Sequence, residues 1–337
     1  MIVPKYTKAG DTIGVTAPSS GIVDPMKIKR FESAQKQLSD RGYKVVFTDN
    51  VFKADERGCS SSGTQRAKEF EQLLSDKNVT AVISAAGGDY LMEMLEHLDY
   101  EFIKKNPKWI QGYSDNTGLL YSITTKCDIA TVYGFNFSDF GMNPWQESVI
   151  RGLEVLEGNT YTQDSFEYYE SVRHDYETGL EGYFYDEKVC WKNGRNEDVI
   201  EMEGRLLGGC FDVISFLTGT KYEDTLGFID RYKDDGIIWF LESFCMNDMS
   251  VITNLWRLKE MGYFNHATGF VFGRPLFYES WVEQRYEDAV MSILKELNVP
   301  VIFDADIGHK GPQLSMINGA KARLWSKGGK GRVTYLQ

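Results

Sequence analysis

The chain has 337 residues, 42% hydrophobic and 26% charged, which is typical of a folded globular protein large enough for two domains. Its formal net charge of −12 argues against a nucleic acid or an anionic membrane surface as partner, because a polyanion is attracted by a positive field. The five scattered cysteines form no C-x-x-C pair, and neither a signal peptide nor a long apolar run is visible, so we expect a cytoplasmic protein with reduced thiols.

Strands and helices alternate in the first half of the chain. Apolar runs bounded by glycine, proline or serine predict strands in DTIGVT, YKVVFT, VTAVIS, KWIQGY and IATVYGF. Helical spacing of apolar residues predicts helices in MKIKRFESAQKQLSDRG, TQRAKEFEQLLSDKN, DYLMEMLEHL and NTGLLYSITTKC. This alternation predicts an α/β fold whose parallel sheet is covered by helices on both faces.

The second half is introduced by a different kind of sequence. Residues 143 to 203 are polar, aromatic and poorly periodic, which predicts a connection with a long loop or irregular hairpins. Beyond it, strands are predicted in GIIWFL, TGFVFG and VPVIFDADIG, helices in GGCFDVISFLTGT, SVITNLWRLKEMGYF and RYEDAVMSILKEL, and a terminal hairpin at KGGKG. The predicted organisation is an N-terminal α/β domain over 1–165, a connector over 166–203 and a smaller C-terminal α/β domain over 204–337.

Ser114 lies in GYSDNTGLL, on a tight turn between a predicted strand and a predicted helix. Ligands of open parallel sheets collect beyond the carboxyl ends of strands, and Ser114 is at such an end. The stretch resembles a relaxed G-x-S-x-G nucleophile elbow, with Asn116 in place of the last glycine. The alternative is that Ser114 and Asp115 only cap the helix that follows.

A serine nucleophile needs a base, and the base needs an acid that orients it. Of the four histidines, only His309 follows a predicted buried strand directly, in VPVIFDADIGHKG. Glu242 ends the predicted strand GIIWFLE, although a solvated charge at a strand end is a common alternative. The order Ser, Glu, His at three strand ends is also found in α/β hydrolases.

Two further features allow more than one interpretation. The amide of Asp115 and the amides of Gly87 and Gly88 could form an oxyanion hole, but AAGGDY also fits a tight turn or an anion-binding nest. In DADIGH, Asp304, Asp306 and His309 could instead ligate a metal, although no second histidine or carboxylate cluster accompanies them.

Several motifs occur in order along the chain: GDTIGVTAPSS, AAGGDYLMEMLEHL, KWIQGYSDNTGLL, GRLLGGCFDVISFLTGTKY, IIWFLES, GFVFGRP and DADIGHKGPQLSMINGAKARL. Together they resemble the LD-carboxypeptidase family of serine peptidases, over about residues 8 to 325. The GRP motif, the tryptophan-containing connector and the length are similar to the microcin C immunity branch of that family.

The resemblance implies a Ser-Glu-His triad of Ser114, Glu242 and His309, and an oxyanion hole from the amides of Gly88 and Asp115. It implies a flavodoxin-like or Rossmann-like N-terminal domain, a smaller C-terminal α/β domain, a site between them and a homodimer. It implies no metal and no organic cofactor. The implied substrate is a small molecule, either an aminoacyl-nucleotide or, alternatively, a muramoyl tetrapeptide in murein recycling.

This chain departs from the family at several positions that would contact substrate. Family members commonly have GGN where this chain has GGC, so Cys210 replaces a polar residue that helps to hold substrate. The family's HGP is YGF here, and the residues that follow the predicted acid also differ. Trp191 is expected either to stack on a nucleobase or to pack at the domain junction, and Arg274 either to meet a substrate anion or to form an interdomain salt bridge. A further alternative is a non-catalytic two-domain protein that binds a small ligand and in which Ser114 performs no chemistry.

Overall fold

A computed structural model describes residues 1–336, and these residues divide into two compact units. The first unit comprises residues 1–160, 174–183 and 315–317, and the second comprises residues 161–173, 184–314 and the described residues from 318 onwards. The segment predicted as a connector, 166–203, is therefore shared, because 174–183 belong to the first unit and 166–173 and 184–203 belong to the second. The domain boundaries at 165 and 203 stay a prediction. Among residues 1–336 no helix combines the length and apolarity needed to cross a bilayer.

The first unit is built on a six-stranded sheet whose order is β14-β5-β4-β3-β1-β2. Its five N-terminal strands pair in parallel, and their order 2-1-3-4-5 is that of flavodoxin-like folds. The α/β fold class predicted from the sequence is confirmed. The bounds of the strands are β1 Thr12–Thr16, β2 Lys44–Phe47, β3 Val79–Ser84, β4 Trp109–Gly112, β5 Thr131–Tyr133 and β14 Met316–Asn318.

Helices connect these strands, and their ends follow capping chemistry. The Asp24 side chain accepts hydrogen bonds from the amides of Met26 and Lys27 and so starts the first helix, while Asp128 ends the fifth in a left-handed conformation. The bounds are α1 Pro25–Asp40, α2 Gly63–Ser75, α3 Met92–Leu95, α4 Tyr100–Lys105, α5 Thr117–Cys127 and α6 Glu147–Glu157. Short 3₁₀ turns occupy Asp49–Phe52, Ser114–Asn116 and Phe137–Gly141.

The second unit contains an eight-stranded mixed sheet in the order β6-β16-β15-β10-β11-β12-β13-β9. Its central strands β10 to β13 are parallel, so their carboxyl ends lie at one edge of the sheet. The bounds are β6 Thr162–Asp164, β9 Lys192–Asn193, β10 Val199–Cys210, β11 Ile237–Glu242, β12 Ala267–Gly273, β13 Val301–Ala305, β15 Lys321–Lys327 and β16 Lys330–Tyr335. A separate hairpin pairs β7 Tyr168–Tyr169 with β8 Glu187–Lys188.

Four helices accompany this sheet: α7 Phe211–Leu217, α8 Thr225–Tyr232, α9 Asp248–Glu260 and α10 Tyr286–Leu294, the last followed by a 3₁₀ turn at Lys295–Leu297. All six residues of β11 are buried, which explains the uninterrupted apolar run IIWFL in the sequence. Glu242 directly follows that run as the last residue of β11, and its carboxylate lies in the interior of this unit.

The secondary structure departs from the sequence prediction at several elements. The predicted helix GGCFDVISFLTGT begins only at Phe211, because its first three residues complete the long strand β10. The predicted helix DYLMEMLEHL forms a single turn, α3. In the stretch predicted as irregular, α6 and β10 are regular elements, and the alternating burial of Ile200, Met202 and Gly204 marks β10 as a strand with one solvated face.

Candidate active site

Ser114 sits on the sharp turn between β4 and α5, in the first unit. Its φ of 64° is in the left-handed region, which costs free energy for any residue except glycine and is found where a turn is held for function. A strand-to-helix turn of this kind lifts the side chain away from the sheet, as in a nucleophile elbow. The structure therefore provides the local conformation that the motif predicted.

Asn116 explains how the turn is held without the last glycine of the usual elbow. Its buried Nδ2, which has two hydrogens, lies within hydrogen-bond distance of three acceptors: the carbonyl oxygens of Ala86 at 2.9 Å and Tyr113 at 3.1 Å, and Asn136 Oδ1 at 2.9 Å. Asn136 Oδ1 also accepts the backbone N–H of Tyr113 at 3.2 Å. The side chain that replaces glycine thus fastens the turn to the neighbouring strand ends.

Tyr133 is a residue whose role near the nucleophile was not found from the sequence. It ends β5, it is fully buried, and its hydroxyl oxygen lies 3.3 Å from the backbone nitrogen of Ser114, whose N–H it accepts. The sequence showed Tyr133 only as a departure from the family's HGP motif. That departure was the only sequence signal at this position. The contact between Tyr133 and Ser114 could not be predicted from it, because it depends on the pairing of β4 with β5.

Of the two glycines that follow β3, Gly87 lies beside Ser114 and Gly88 lies beside Ser19 and Ser20. A Cβ placed on Gly87 would come within 3.2 Å of the Ser114 hydroxyl oxygen, so Gly87 borders the nucleophile directly. Gly88 has a φ of 155°, and a side chain there would overlap the hydroxyl oxygens of Ser19 and Ser20. Glycine is therefore favoured at both positions, and neither residue has a side chain that could cover its own amide.

The carboxylate of Asp115 points away from its own helix and into the loops around it. Its Oδ2 accepts hydrogen bonds from Ser19 Oγ at 2.5 Å and from the backbone N–H of Leu91 at 2.8 Å. Burial raises the pKa of the Asp115 carboxyl, although both of these hydrogen bonds act to lower it. The sequence predicted only the Asp115 amide as a site group and missed this side chain.

In the second unit the structure brings Glu242 and His309 together. His309 Nδ1 lies 2.8 Å from Glu242 Oε2, with the carboxylate fully buried and the imidazole side chain 8% exposed. A carboxylate accepts hydrogen bonds and cannot donate them, so Nδ1 carries the hydrogen and Nε2 is left as the basic nitrogen. The pair has the chemistry of an oriented general base.

The close approach of the two residues depends on Gly308. It has a φ of 97°, and a Cβ at this position would overlap the carboxyl group of Glu242. The ring of Phe244 packs against the imidazole with a centroid separation of 4.8 Å and so limits its rotation. The turn after β13 and the turn after β11 together fix the orientation of His309.

Cys210 ends β10 and is paired in register with Glu242 on β11. Its side chain is buried, and its Sγ lies 3.7 Å from Asp212 Oδ2. Burial raises the pKa of the Cys210 thiol well above its ordinary value, and the nearby Glu242 and Asp212 carboxylates add to this shift. Cys210 therefore stays a neutral thiol next to the predicted acid.

Arg274 and Trp191 meet in one buried network within the second unit. The guanidinium of Arg274 forms an ion pair with Asp306, and its planar group lies 4.1 Å from the ring centre of Tyr169. The indole N–H of Trp191 donates to the other oxygen of Asp306 at 3.1 Å, as does the amide of Phe166 at 3.0 Å. Trp191 is 2% exposed, so in this conformation its ring packs in the interior.

The residues of the alternative metal site are engaged differently. Asp304 forms an ion pair with Lys192 at 2.6 Å, and Asp306 belongs to the network of Arg274. Within the described residues 1–336, no three His, Cys, Asp or Glu side chains are grouped so that they could hold a metal ion.

Comparison with protein-family models matches both halves of the chain. The LD-carboxypeptidase N-terminal domain matches residues 13–134, and the LD-carboxypeptidase C-terminal domain matches residues 203–324. Ser114 lies in the first matched segment, and Glu242 and His309 lie in the second.

Relatives and solved structures cover the chain almost completely. Microcin C7 self-immunity protein MccF of Escherichia coli is 28% identical, over 94% of this chain and 90% of its own. A Bacillus subtilis protein named "Probable murein peptide carboxypeptidase" is 25% identical, over 95% and 91%. The structure of an MccF-like protein from Bacillus anthracis matches with a TM-score of 0.83 and 26% identity over all of both chains. MccF in complex with aspartyl sulfamoyl adenosine matches with a TM-score of 0.82 and 23% identity, over 100% of this chain and 99% of that one.

Proposed function

Because the chain belongs to the LD-carboxypeptidase family and is a peptidase by that membership, we propose that it is a serine-type amidase of small substrates. In this proposal Ser114 is the nucleophile, His309 the general base and Glu242 the acid that orients it. The observation that carries the proposal is the conformation of Ser114, held at a φ of 64° on the turn after β4. The 2.8 Å contact between His309 and Glu242 supports it independently.

The proposed reaction proceeds in two halves. Ser114 Oγ attacks the substrate carbonyl while His309 Nε2 takes its proton, and the same nitrogen then returns the proton to the leaving nitrogen. Water next attacks the acyl-enzyme with His309 again as base, which releases the acid and restores Ser114. Glu242 stabilises the imidazolium that forms in each half.

The negative charge that develops on the carbonyl oxygen needs donors already in place. We assign this role to the backbone amides of Gly88 and Asp115, which both belong to the first unit. One such donor contributes about 3–4 kcal/mol to the transition state in well-studied serine peptidases.

For the substrate, we propose an aminoacyl-nucleotide in which an acyl group is joined to nitrogen. The similarity to MccF and to its complex with aspartyl sulfamoyl adenosine supports this class. Hydrolysis of that compound breaks the bond between the aspartyl carbonyl carbon and the sulfamoyl nitrogen, and gives aspartate and sulfamoyl adenosine. Such a reaction would detoxify an aminoacyl-nucleotide inhibitor and confer self-immunity.

A muramoyl tetrapeptide is the second candidate substrate, favoured by the similarity to a protein named for murein peptides. The triad would then cleave an L-to-D amide and release a terminal D-amino acid. The homodimer and the cytoplasmic location expected from the sequence also stay predictions.

The test is cleavage of the two substrates, followed by mass spectrometry. We expect wild-type protein to release sulfamoyl adenosine, and Ser114→Ala to release none. Ser122→Ala is the matched control, because Ser122 is a buried serine on the adjoining helix α5. Release of D-alanine from the tetrapeptide alone would favour murein recycling. Cleavage of neither substrate, or equal cleavage by Ser114→Ala, would contradict the proposal.

A further inference from the structure

The Asp115 side chain connects three loops at the carboxyl ends of adjacent strands. Ser19 follows β1, Leu91 follows β3 and Asp115 follows β4, and these strands are consecutive in the sheet. Asp115 Oδ2 accepts hydrogen bonds from both Ser19 Oγ and the Leu91 amide, at 2.5 and 2.8 Å. One carboxylate oxygen therefore holds the loops after β1 and β3 against the turn that carries Ser114.

Arg66 holds the same two loops by binding their carbonyl oxygens. Its guanidinium is fully buried, and Nη1 donates to the carbonyl oxygens of Pro18 at 3.0 Å and Tyr90 at 2.9 Å. These carbonyls belong to the residues directly before Ser19 and Leu91. The peptide group between Tyr90 and Leu91 is thus fixed at both ends, its C=O by Arg66 and its N–H by Asp115.

The loop fixed in this way includes Gly88. The backbone N–H of Ser20 donates to the Gly87 carbonyl at 3.1 Å, and the hydroxyls of Ser19 and Ser20 occupy the space where a Gly88 side chain would lie. The position of the Gly88 amide therefore depends on where Ser19 and the Tyr90–Leu91 peptide are held.

We infer that the Asp115 side chain is a positioning residue for the oxyanion hole, which sets the Gly88 amide at the correct distance from the Asp115 amide. The inference rests on the proposed function, because it requires these two amides to bind the carbonyl oxygen. Backbone donors stabilise an oxyanion only when they are already oriented, and a displacement of about 1 Å lowers a rate by about 100-fold.

A carboxylate at the start of a helix often serves only to cap it. The contacts of Asp115 differ from a cap, because they reach residues 96 and 24 positions away in the chain. Burial raises the pKa of the Asp115 carboxyl, which means that the buried position disfavours its ionised form. Keeping the carboxylate there therefore costs free energy. An exposed side chain could cap the helix without this loss of hydration free energy.

Asp115→Asn tests the inference, since it keeps the size of the side chain but removes the charged acceptor shared by Ser19 and Leu91. We would measure the rate at which a fluorophosphonate labels Ser114. In unlabelled samples we would measure kcat and KM for aspartyl sulfamoyl adenosine, with the enzyme concentration taken from the number of sites that a parallel sample can label. Labelling and kcat should fall by about 10- to 100-fold, with KM changed by less than about 2-fold. Counting only labelled sites removes the effect of misfolded protein.

Two more variants complete the experiment. Ser19→Ala removes one of the two contacts and leaves Asp115 charged, so labelling and kcat should fall by about 3- to 10-fold, and this variant decides the question if Asp115→Asn does not fold. Glu69→Gln is the matched control, because Glu69 is another buried carboxylate of the first unit, which accepts from the Asn50 amide and from Gln65. It should label like the wild type.

The outcomes separate this inference from the proposed function. If wild type is labelled at Ser114 and Asp115→Asn is labelled at the same rate, the positioning role is wrong and the proposed function stands. If Glu69→Gln slows labelling as much as Asp115→Asn does, the effect belongs to the unit as a whole and the positioning role is again wrong. If Ser114 in the wild type is not labelled, both are wrong.

Discussion

Glu242→Gln is the substitution that probes the proposed base most selectively. Glutamine has nearly the volume of glutamate, so the buried position at the end of β11 stays filled. The change removes the negative charge that lies 2.8 Å from His309 Nδ1 and offers an NH₂ group that can turn the imidazole to its other tautomer. In that tautomer Nε2 carries the hydrogen and cannot take a proton from a serine.

The size of the effect follows from the burial of the pair. The carboxylate is fully buried and the imidazole is 8% exposed, so water screens their attraction little. Removing one partner of such a buried pair costs about 3–5 kcal/mol, and we expect this cost when the imidazole becomes charged in the transition state. At about 1.4 kcal/mol per tenfold change in rate, kcat should fall by about 10²- to 10⁴-fold.

The assay is hydrolysis of aspartyl sulfamoyl adenosine, with KM expected to change little because the charge acts mainly in the transition state. Asp235→Asn is the matched control. Asp235 is a paired carboxylate near the other end of β11, bound to Arg205 and Lys321, and its loss should leave kcat within about 2-fold. A kcat of Glu242→Gln within about 3-fold of wild type would refute the assignment of His309 and Glu242 as an oriented base.

Three other substitutions give expected outcomes. Arg274→Ala leaves Asp306 buried without its cation, so urea unfolding should show a loss of about 3–5 kcal/mol, whereas exposed Arg285→Ala should lose less than about 1 kcal/mol; equal losses would contradict the importance of burial. Because burial raises the pKa of Asp115 in the folded protein, the contribution of this carboxyl to stability is full below its ordinary pKa and is lost as pH rises through the raised pKa, so the melting temperature of Asp115→Asn relative to wild type should rise between pH 4 and pH 7; a difference that stays constant over this range would contradict the shift. Cys210→Asn should lower KM for aspartyl sulfamoyl adenosine by about 3- to 10-fold with kcat unchanged if a polar group there holds substrate, and an unchanged KM would contradict this role.

Much of the first unit could be predicted because its strands and helices have clear local sequence signals. The strands before Gly87 and Ser114 are short apolar runs ended by glycine, and each is followed by a helical pattern, so the carboxyl ends of the parallel strands could be placed without a structure. The same reasoning placed Glu242 and His309 at strand ends, and the structure brings these two side chains into contact.

What escaped prediction depends on partners distant in the chain. The Asp115 side chain is hydrogen-bonded to Ser19, and the Ser114 amide is hydrogen-bonded to the Tyr133 hydroxyl. Neither contact can be inferred from the spacing of residues within one segment. Trp191 offered two interpretations, and only the position of Asp306 shows that its indole is buried and hydrogen-bonded. The strand β10 was missed because its alternation of Ile200 and Met202 with charged residues is embedded in a long polar stretch.

The central claim is that Ser114 is the nucleophile, and the most direct measurement is to identify the residue that a fluorophosphonate modifies. The labelled protein would be digested and the adduct located by tandem mass spectrometry. We predict one adduct, on the peptide that contains Ser114, formed in wild type and in Ser122→Ala and absent from Ser114→Ala. An adduct on any other residue, or labelling that persists in Ser114→Ala, would contradict the account.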